Sequence, residues 1–243
     1  MSDKSITVLV PIYNEEEHII SSCINRLINA FSFNKIVNYE IIIIDDSPKV
    51  KSNENPLGIK LYDNILFKKN IYKKGFGNSV KYGIELSKSD YISIFMVDGS
   101  DDANDLIKFY RTVQEKKLDF VLGDRWSKNS TNNYPRHKLL INRIANKLIS
   151  KLFNFDYSDF TNSFKLYSRP YLNKISPFYS DHFNITIELP LKCLIFNGDY
   201  EILNNSWTGD KNRVSSLNLR KLFLSYFLTM IHCLIIKYFK KIS

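Results

Sequence analysis

Three cysteines, Cys23, Cys193 and Cys233, are all the chain has, and their odd number and wide spacing leave no disulfide framework and no zinc pattern. That usage suits a reducing cytosol, with each thiol expected as a small buried hydrophobe. The segment Met1 to Ser5 is polar and leads straight into a strand-like run, so no signal peptide is expected. Internal repeats and low-complexity tracts are missing, which excludes solenoids and fibrous arrays. A Walker loop is excluded too: Lys73-Lys74-Gly75-Phe76-Gly77 lacks the Gly-Lys-Ser/Thr ending. Long uncharged apolar runs are absent until Leu222 to Ile236, so only the C-terminal stretch raises a membrane question.

What is there is an ordinary globular composition, 44% hydrophobic and 24% charged over 243 residues. That is room for one large domain, or for one domain with an appendage. The formal charge is +9, from 34 Lys and Arg against 25 Asp and Glu. Such a balance favours phosphate-bearing partners, namely nucleotides, nucleic acid, anionic lipid or phosphorylated substrates, without choosing among them.

The first half alternates short apolar runs with amphipathic stretches. Strands are expected at Ile6 to Ile12, Glu40 to Ile44, within Ile59 to Phe67, at Tyr91 to Val97 and at Phe120 to Leu122. Helices are expected at Glu15 to Ala30, Ser79 to Leu86 and Asp105 to Lys116. This succession predicts a doubly wound, mainly parallel α/β sheet with right-handed crossovers. Beyond Asp124 come a polar loop from Trp126 to Pro135, a basic helix from Lys138 to Phe153 and a strand-like segment from Asp159 to Arg169.

Three polar clusters fall at strand carboxyl ends: Tyr13-Asn14-Glu15, Asp45-Asp46-Ser47 and Asp98-Gly99-Ser100-Asp101-Asp102. Open α/β sheets bind ligands along that edge. The last cluster suits a hard divalent cation bridging a diphosphate, or the cap of the following helix, or both. Asp45 and Asp46 suit a nucleoside hydroxyl or base contact, or equally a turn. Lys74, Gly75 and Gly77 offer a cation beside flexible backbone.

As an ordered set, Val10-Pro11-Ile12-Tyr13-Asn14-Glu15, Ile44-Asp45-Asp46-Ser47, Lys74-Gly75-Phe76-Gly77 and Val97 to Asp102 resemble family 2 glycosyltransferases. Within that family the likeness is to the polyprenyl-phosphate hexose transferases, the dolichol-phosphate mannose synthase group. It continues through Gly123-Asp124-Arg125, Arg143 with Asn146, and Asp159 to Tyr167. The resemblance implies a GT-A fold over residues 1–218, with a nucleotide-binding half to residue 124 and an acceptor half after it. It further implies inverting transfer from a GDP- or UDP-linked sugar to polyprenyl phosphate with Mg²⁺ or Mn²⁺. Pro11, Tyr13, Asn14, Glu15, Asp45 and Asp46 would meet the nucleotide sugar, and Asp98 would lead an Asp-x-Asp metal motif. Ser100 stands where the second Asp is usual, so that Asp101 or Asp102 would take over ligation; Asp98, Ser100 and Asp102 are the candidate metal residues.

In the acceptor half, Arg125, Arg143 and Lys165 carry over as phosphate contacts, against the plain reading of solvated cations. The loop from Trp207 to Ser216 departs from the family pattern: Asp210 replaces an Arg, Arg213 a Gly and Ser216 a Lys, with Lys211 and Arg213 left to supply charge. A phosphate acceptor needs orientation rather than a base, whereas a sugar hydroxyl would need one, and Asp159 with Glu188 behind it is the candidate. The competing readings are transfer to a hydroxyl of a growing surface glycan and a non-catalytic nucleotide- or lipid-binding module. The carboxylate-rich edge argues against nucleic acid.

Residues 219–243 read as a membrane-associating helix. From Leu222 to Phe239 a helix would be about 27 Å long, short for a span. Basic ends and the aromatics Phe223, Tyr226, Phe227, Tyr238 and Phe239 suit an interfacial helix on anionic lipid at the cytoplasmic face. Packing on the domain, or on a partner, and spanning are the alternatives.

Overall fold

The computed structural model describes residues 4–48, 63–126, 136–209 and 219–242. The parallel half is built from β1 (Ile6–Ile12), α1 (Glu17–Phe33), β2 (Tyr39–Asp45), β3 (Ile65–Lys69), α2 (Phe76–Leu86), β4 (Tyr91–Ile94), α3 (Ala103–Glu115) and β5 (Phe120–Asp124). There follow α4 (Arg136–Phe153), β6 (Lys165–Ser168), α5 (Arg169–Ile175), α6 (Ile185–Ile195), β7 (Tyr200–Asn204) and α7 (Leu219–Ile242).

The strands form one seven-stranded sheet in the order β3-β2-β1-β4-β6-β5-β7. β1 pairs in parallel with β2 and with β4, β2 with β3, and β5 with β7; β6 runs antiparallel between β4 and β5. Side chains alternate across the sheet with period two. Val8, Val10, Ile41 and Ile43 therefore join one core with α1 and α3, while Leu9, Ile42 and Ile44 join a second core on the other face. The second core also takes Ile149 and Phe153 of α4, Leu172 of α5, Leu191 of α6 and Cys233 of α7. Burial on both faces is why β1 and β2 read as nearly continuous apolar runs. Each fully buried Ile contributes roughly 1.5–3 kcal/mol.

Two elements differ from the sequence expectation. β4 leaves the ladder at Ile94 rather than Val97, because the Met96 amide donates to the Asp101 carboxylate (3.0 Å) and bends the chain into the acidic loop. The segment Asp159 to Arg169 is mostly loop, with only Lys165–Ser168 in the sheet. Of the strand expected within residues 59–67, residues 59–62 lie outside the described residues.

α7 lies along α6. Thr229 of α7 accepts from Asn184 Nδ2 (2.8 Å), Tyr226 donates to the Phe183 carbonyl (3.2 Å), and Cys233 is fully buried. Phe223–Lys240 is also long and apolar enough, by length and composition, to cross a membrane.

Candidate active site

The register of the parallel strands assembles the site. Ile12 pairs with Asp45, the Asp46 amide donates to the Ile12 carbonyl (2.9 Å), and β4 lies on the other side of β1. The clusters after β1, β2 and β4 therefore share one sheet edge. Loops and the unpaired amides of helix N-termini lie at that edge, where open α/β sheets meet ligand.

Pro11 is buried at the end of β1, and Tyr13, Asn14 and Glu15 follow it at the edge. The Asn14 amide donates to Ser47 Oγ (2.8 Å), which joins the first two clusters. Asp45 is buried; its Oδ1 accepts from the Ser47 amide (2.9 Å), and its Oδ2 pairs with Lys69 Nζ (3.1 Å). Asp46 accepts from the Gly75 amide (2.8 Å) and from Asn70 Nδ2 (2.8 Å). The ammonium of Lys74 lies 4.1 Å from the centre of the Tyr13 ring and bonds its hydroxyl. Lys69 and Asn70 were missed in the sequence. The signal available was their place at the carboxyl end of β3, on the same edge.

Gly75 and Gly77 are there for close approach. A Cβ on Gly75 would stand 2.2 Å from the Asp181 carbonyl oxygen, and one on Gly77 2.3 Å from that of Ser180. The contact is secured by the Asn78 amide on the Asp181 carbonyl (3.1 Å), by Phe76 stacked on Phe183 at 4.3 Å, and by a Lys81–Asp181 ion pair. Residues 179–183 thus back the donor loop, a role no local motif announces.

In the acidic loop the carboxylates divide their work. Asp98 Oδ1 accepts from the Ser100 amide (3.0 Å). Asp102 caps α3, its Oδ1 accepting from the Asn104 amide (2.8 Å). Asp101 is buried and holds the Met96 amide; burial, opposed by that hydrogen bond and reinforced by nearby Asp98, pushes its carboxyl up to about 7. Trp207 bridges to Asp101, and the Thr208 amide donates to the Ser100 carbonyl (3.0 Å), so the chain after β7 lines this loop. Among the described residues no three His, Cys, Asp or Glu side chains form a metal cage. Asp98, Ser100 and Asp102 still supply hard oxygen donors in one turn. A magnesium-type ion bound through one or two carboxylates and substrate phosphates takes that donor set.

The acceptor half is arranged differently from the expectation. Arg125 and Asp159 are both buried and form a two-pronged ion pair, which the Arg125 amide joins with a third bond to Asp159 (3.0 Å). Indole rings lie 5.1 Å (Trp126) and 6.0 Å (Trp207) from the Arg125 guanidinium. Arg143 is exposed on α4, 5.8 Å from the Trp126 ring. Its neighbour Asn146 holds Thr161 through both side-chain atoms, fastening α4 to the turn after Asp159.

Lys165 is not an open cation in this structure. It is buried, donates to the carbonyls of Phe160 and Asn162, and has its ammonium pulled down to about 7 by desolvation, against the attraction of Asp159. Nor does Glu188 stand behind Asp159 as a second base. It is fully buried, accepting from the Tyr179 (2.9 Å) and Ser180 (2.7 Å) amides with Lys192 3.9 Å away, and so shapes the loop that backs Gly75. Lys211 and Arg213, with Asp210 and Ser216, lie outside the described residues.

A model of the family described as glycosyl transferase family 2 matches residues 7–176. The chain is 30% identical over 125 residues to glycosyltransferase GlyG of Streptococcus pneumoniae, an overlap of 50% of this chain and 39% of that protein. It is 29% identical over 135 residues to a probable glycosyltransferase of Sulfolobus acidocaldarius, covering 53% of this chain and 28% of that one. The matches thus span well under half of either relative. In three dimensions it is similar to glucosyl-3-phosphoglycerate synthase from Mycobacterium tuberculosis, solved with Mn²⁺, uridine diphosphate and glucosyl-3-phosphoglycerate. That likeness has a TM-score of 0.67 at 13% identity and covers 96% of this chain and 80% of the other. The same enzyme solved with Mg²⁺ and uridine diphosphate gives 0.66 at 14% identity, covering 95% and 79%. At such identity the likeness establishes the GT-A-like fold. With the family model spanning most of its length, the chain belongs to glycosyl transferase family 2.

Proposed function

We propose that the chain is an inverting hexosyltransferase that moves a sugar from a UDP- or GDP-linked donor to polyprenyl phosphate at a membrane surface. The observation that carries the reading is the strand register that sets Asp45, Asp46 and the Asp98 loop along one edge, beside the Gly75 turn. Tyr13, Asn14, Glu15, Asp45, Asp46, Lys74 and the Gly75–Gly77 backbone would hold the nucleotide sugar. Asp98, with Ser100 and Asp102, would hold Mg²⁺ or Mn²⁺, which when bound offsets charge on the departing diphosphate.

In the proposed step an acceptor phosphate oxygen forms a bond to the anomeric carbon as the bond to the diphosphate oxygen breaks, and the nucleoside diphosphate leaves with the electron pair. A phosphate acceptor is favoured over a hydroxyl because Asp159 and Glu188, the two carboxylates considered as bases, are both engaged, one by Arg125 and the other by backbone amides. An acceptor already anionic near neutral pH needs positioning and screening rather than proton removal. Arg143 beside Trp126 is the exposed cation proposed for that task, with Lys211 and Arg213.

The test supplies labelled UDP- and GDP-hexoses with polyprenyl phosphate and Mn²⁺. Label extracted as a lipid-linked sugar phosphate is expected. Label passing only to glycan hydroxyls would overturn the acceptor, and donors left intact under all conditions would overturn the enzyme.

A further inference from the structure

α7 is not alone in presenting apolar side chains to solvent; α4 does so as well. Leu140, Ile141, Ile144, Leu148 and Leu152 are each between 51 and 62% exposed. They recur at helical spacing and form one stripe. Asn146, Ile149 and Phe153, on the opposite face, are buried against the domain, so the stripe faces away from it. Beside it Arg143, Lys147 and Lys151, all exposed, follow one another at four-residue intervals. A helix of a soluble monomer ordinarily places polar residues where α4 places leucines and isoleucines.

α7 repeats the pattern. Phe223, Leu224, Phe227, Leu228, Ile231 and Ile235 are exposed, while Thr229 and Cys233 face the domain. Two of its cations, Lys237 and Lys240, turn inward, to the carbonyls of Phe153 and Ile195, so these two do not interrupt the outward apolar face. The Lys237 contact also joins the two helices: its ammonium lies 4.6 Å from the Phe155 ring centre, just past the end of α4. Both helices pack on the same side of the sheet through one core. Neither contains a single Asp or Glu.

We propose that α4 is a second membrane-docking helix, and that α4 and α7 together seat the domain on an anionic bilayer. The occupant follows from the chemistry. Apolar side chains flanked by a cationic row and free of acid complement acyl chains beneath negative headgroups. A protein partner would be expected to meet some acid on the helices. Docking through α4 also sets the bilayer next to Arg143 and Trp126, and through Trp126 to the Arg125–Asp159 pair. A lipid-borne acceptor would then reach the sugar without leaving the surface. The proposal rests on the membrane-surface reading and extends it from α7 to α4.

The experiment is flotation of the full chain with vesicles of phosphatidylcholine, with and without phosphatidylglycerol. It compares the natural chain, Ile144→Glu/Leu148→Glu, Lys147→Glu/Lys151→Glu, and Leu228→Glu/Ile231→Glu in α7. Binding to the anionic vesicles is expected, with about a tenfold loss for each α4 pair and a loss of similar size for the α7 pair. Unchanged binding of uridine diphosphate would show that the variants are folded. Should the apolar α4 pair not fold, Ile144→Cys carrying an environment-sensitive dye is expected to shift to the blue on anionic vesicles. If both α4 pairs float as well as the natural chain while the α7 pair does not, α4 is overturned and the original reading stands. No binding by the natural chain overturns both. A concentration-dependent dimer dissolved by the α4 changes would make the stripe a contact between copies and overturn the bilayer as its occupant.

Discussion

Arg125 and Asp159 are locked face to face: Nε donates to Oδ2 at 2.8 Å and Nη2 to Oδ1 at 2.7 Å, with both side chains inside the protein. A carboxylate so matched holds the turn after β5 against residues 159–162, with both of its oxygens already engaged by Arg125.

Asp159→Asn should therefore act first on stability. Breaking a buried pair from one side strands the other charge, at a cost of about 3–5 kcal/mol. Urea unfolding of the two proteins measures it. A variant with natural stability and lost turnover would instead make Asp159 a catalytic base.

Asp98→Ala should leave the fold intact and abolish Mn²⁺-dependent donor turnover, since in the proposed site Asp98 leads the metal ligands and supports no core packing. Circular dichroism and donor hydrolysis with added metal are the readouts; full activity would remove the metal role.

Gly77→Ala should weaken nucleotide binding by about tenfold or more. Its methyl would meet the Ser180 carbonyl at 2.3 Å, and relieving such a clash costs roughly 1–3 kcal/mol or displaces the loop. Calorimetric titration with uridine and guanosine diphosphates, each with Mn²⁺, would measure it. Affinity equal to the natural chain for whichever nucleotide binds would show that residues 179–183 do not brace this turn.

Lys165 predicts a pH dependence. Its ammonium falls to about 7 in the folded chain, against 10.5 as the ordinary value, because it is buried. Between these limits the unfolded chain holds a proton that the folded chain has released, so stability rises with pH, by at most ~1.4 kcal/mol per unit. Lys165→Met should flatten the profile from pH 7 to 9 relative to the natural protein. Parallel profiles would show that Lys165 stays charged when folded.

The parallel half was legible because its signals are local. Ile6 to Ile12 and Glu40 to Ile44 are short, β-branched apolar runs that read as strands, and the helix faces of α1 and α3 repeat at 3.6 residues. The loop after residue 158 was less so. Asn162 Nδ2 donates to the carbonyl of Gly123 and to Oδ1 of Asn205, partners distant in sequence, and so replaces a strand ladder that periodicity led one to expect.

Sequence alone thus determined that acidic turns follow β1, β2 and β4, since short apolar runs ended by Asp, Asn and Ser can hardly do otherwise. Whether those charges face a ligand or one another was decided in three dimensions. Asp159 met Arg125, Glu188 met the Tyr179 and Ser180 amides, and Lys165 met backbone carbonyls, because a buried charge must find its opposite or a full set of hydrogen bonds wherever the chain brings one. The outward stripe of α4 was settled the same way. Amphipathic spacing tells that a helix has two faces, but only packing tells which of them the domain covers.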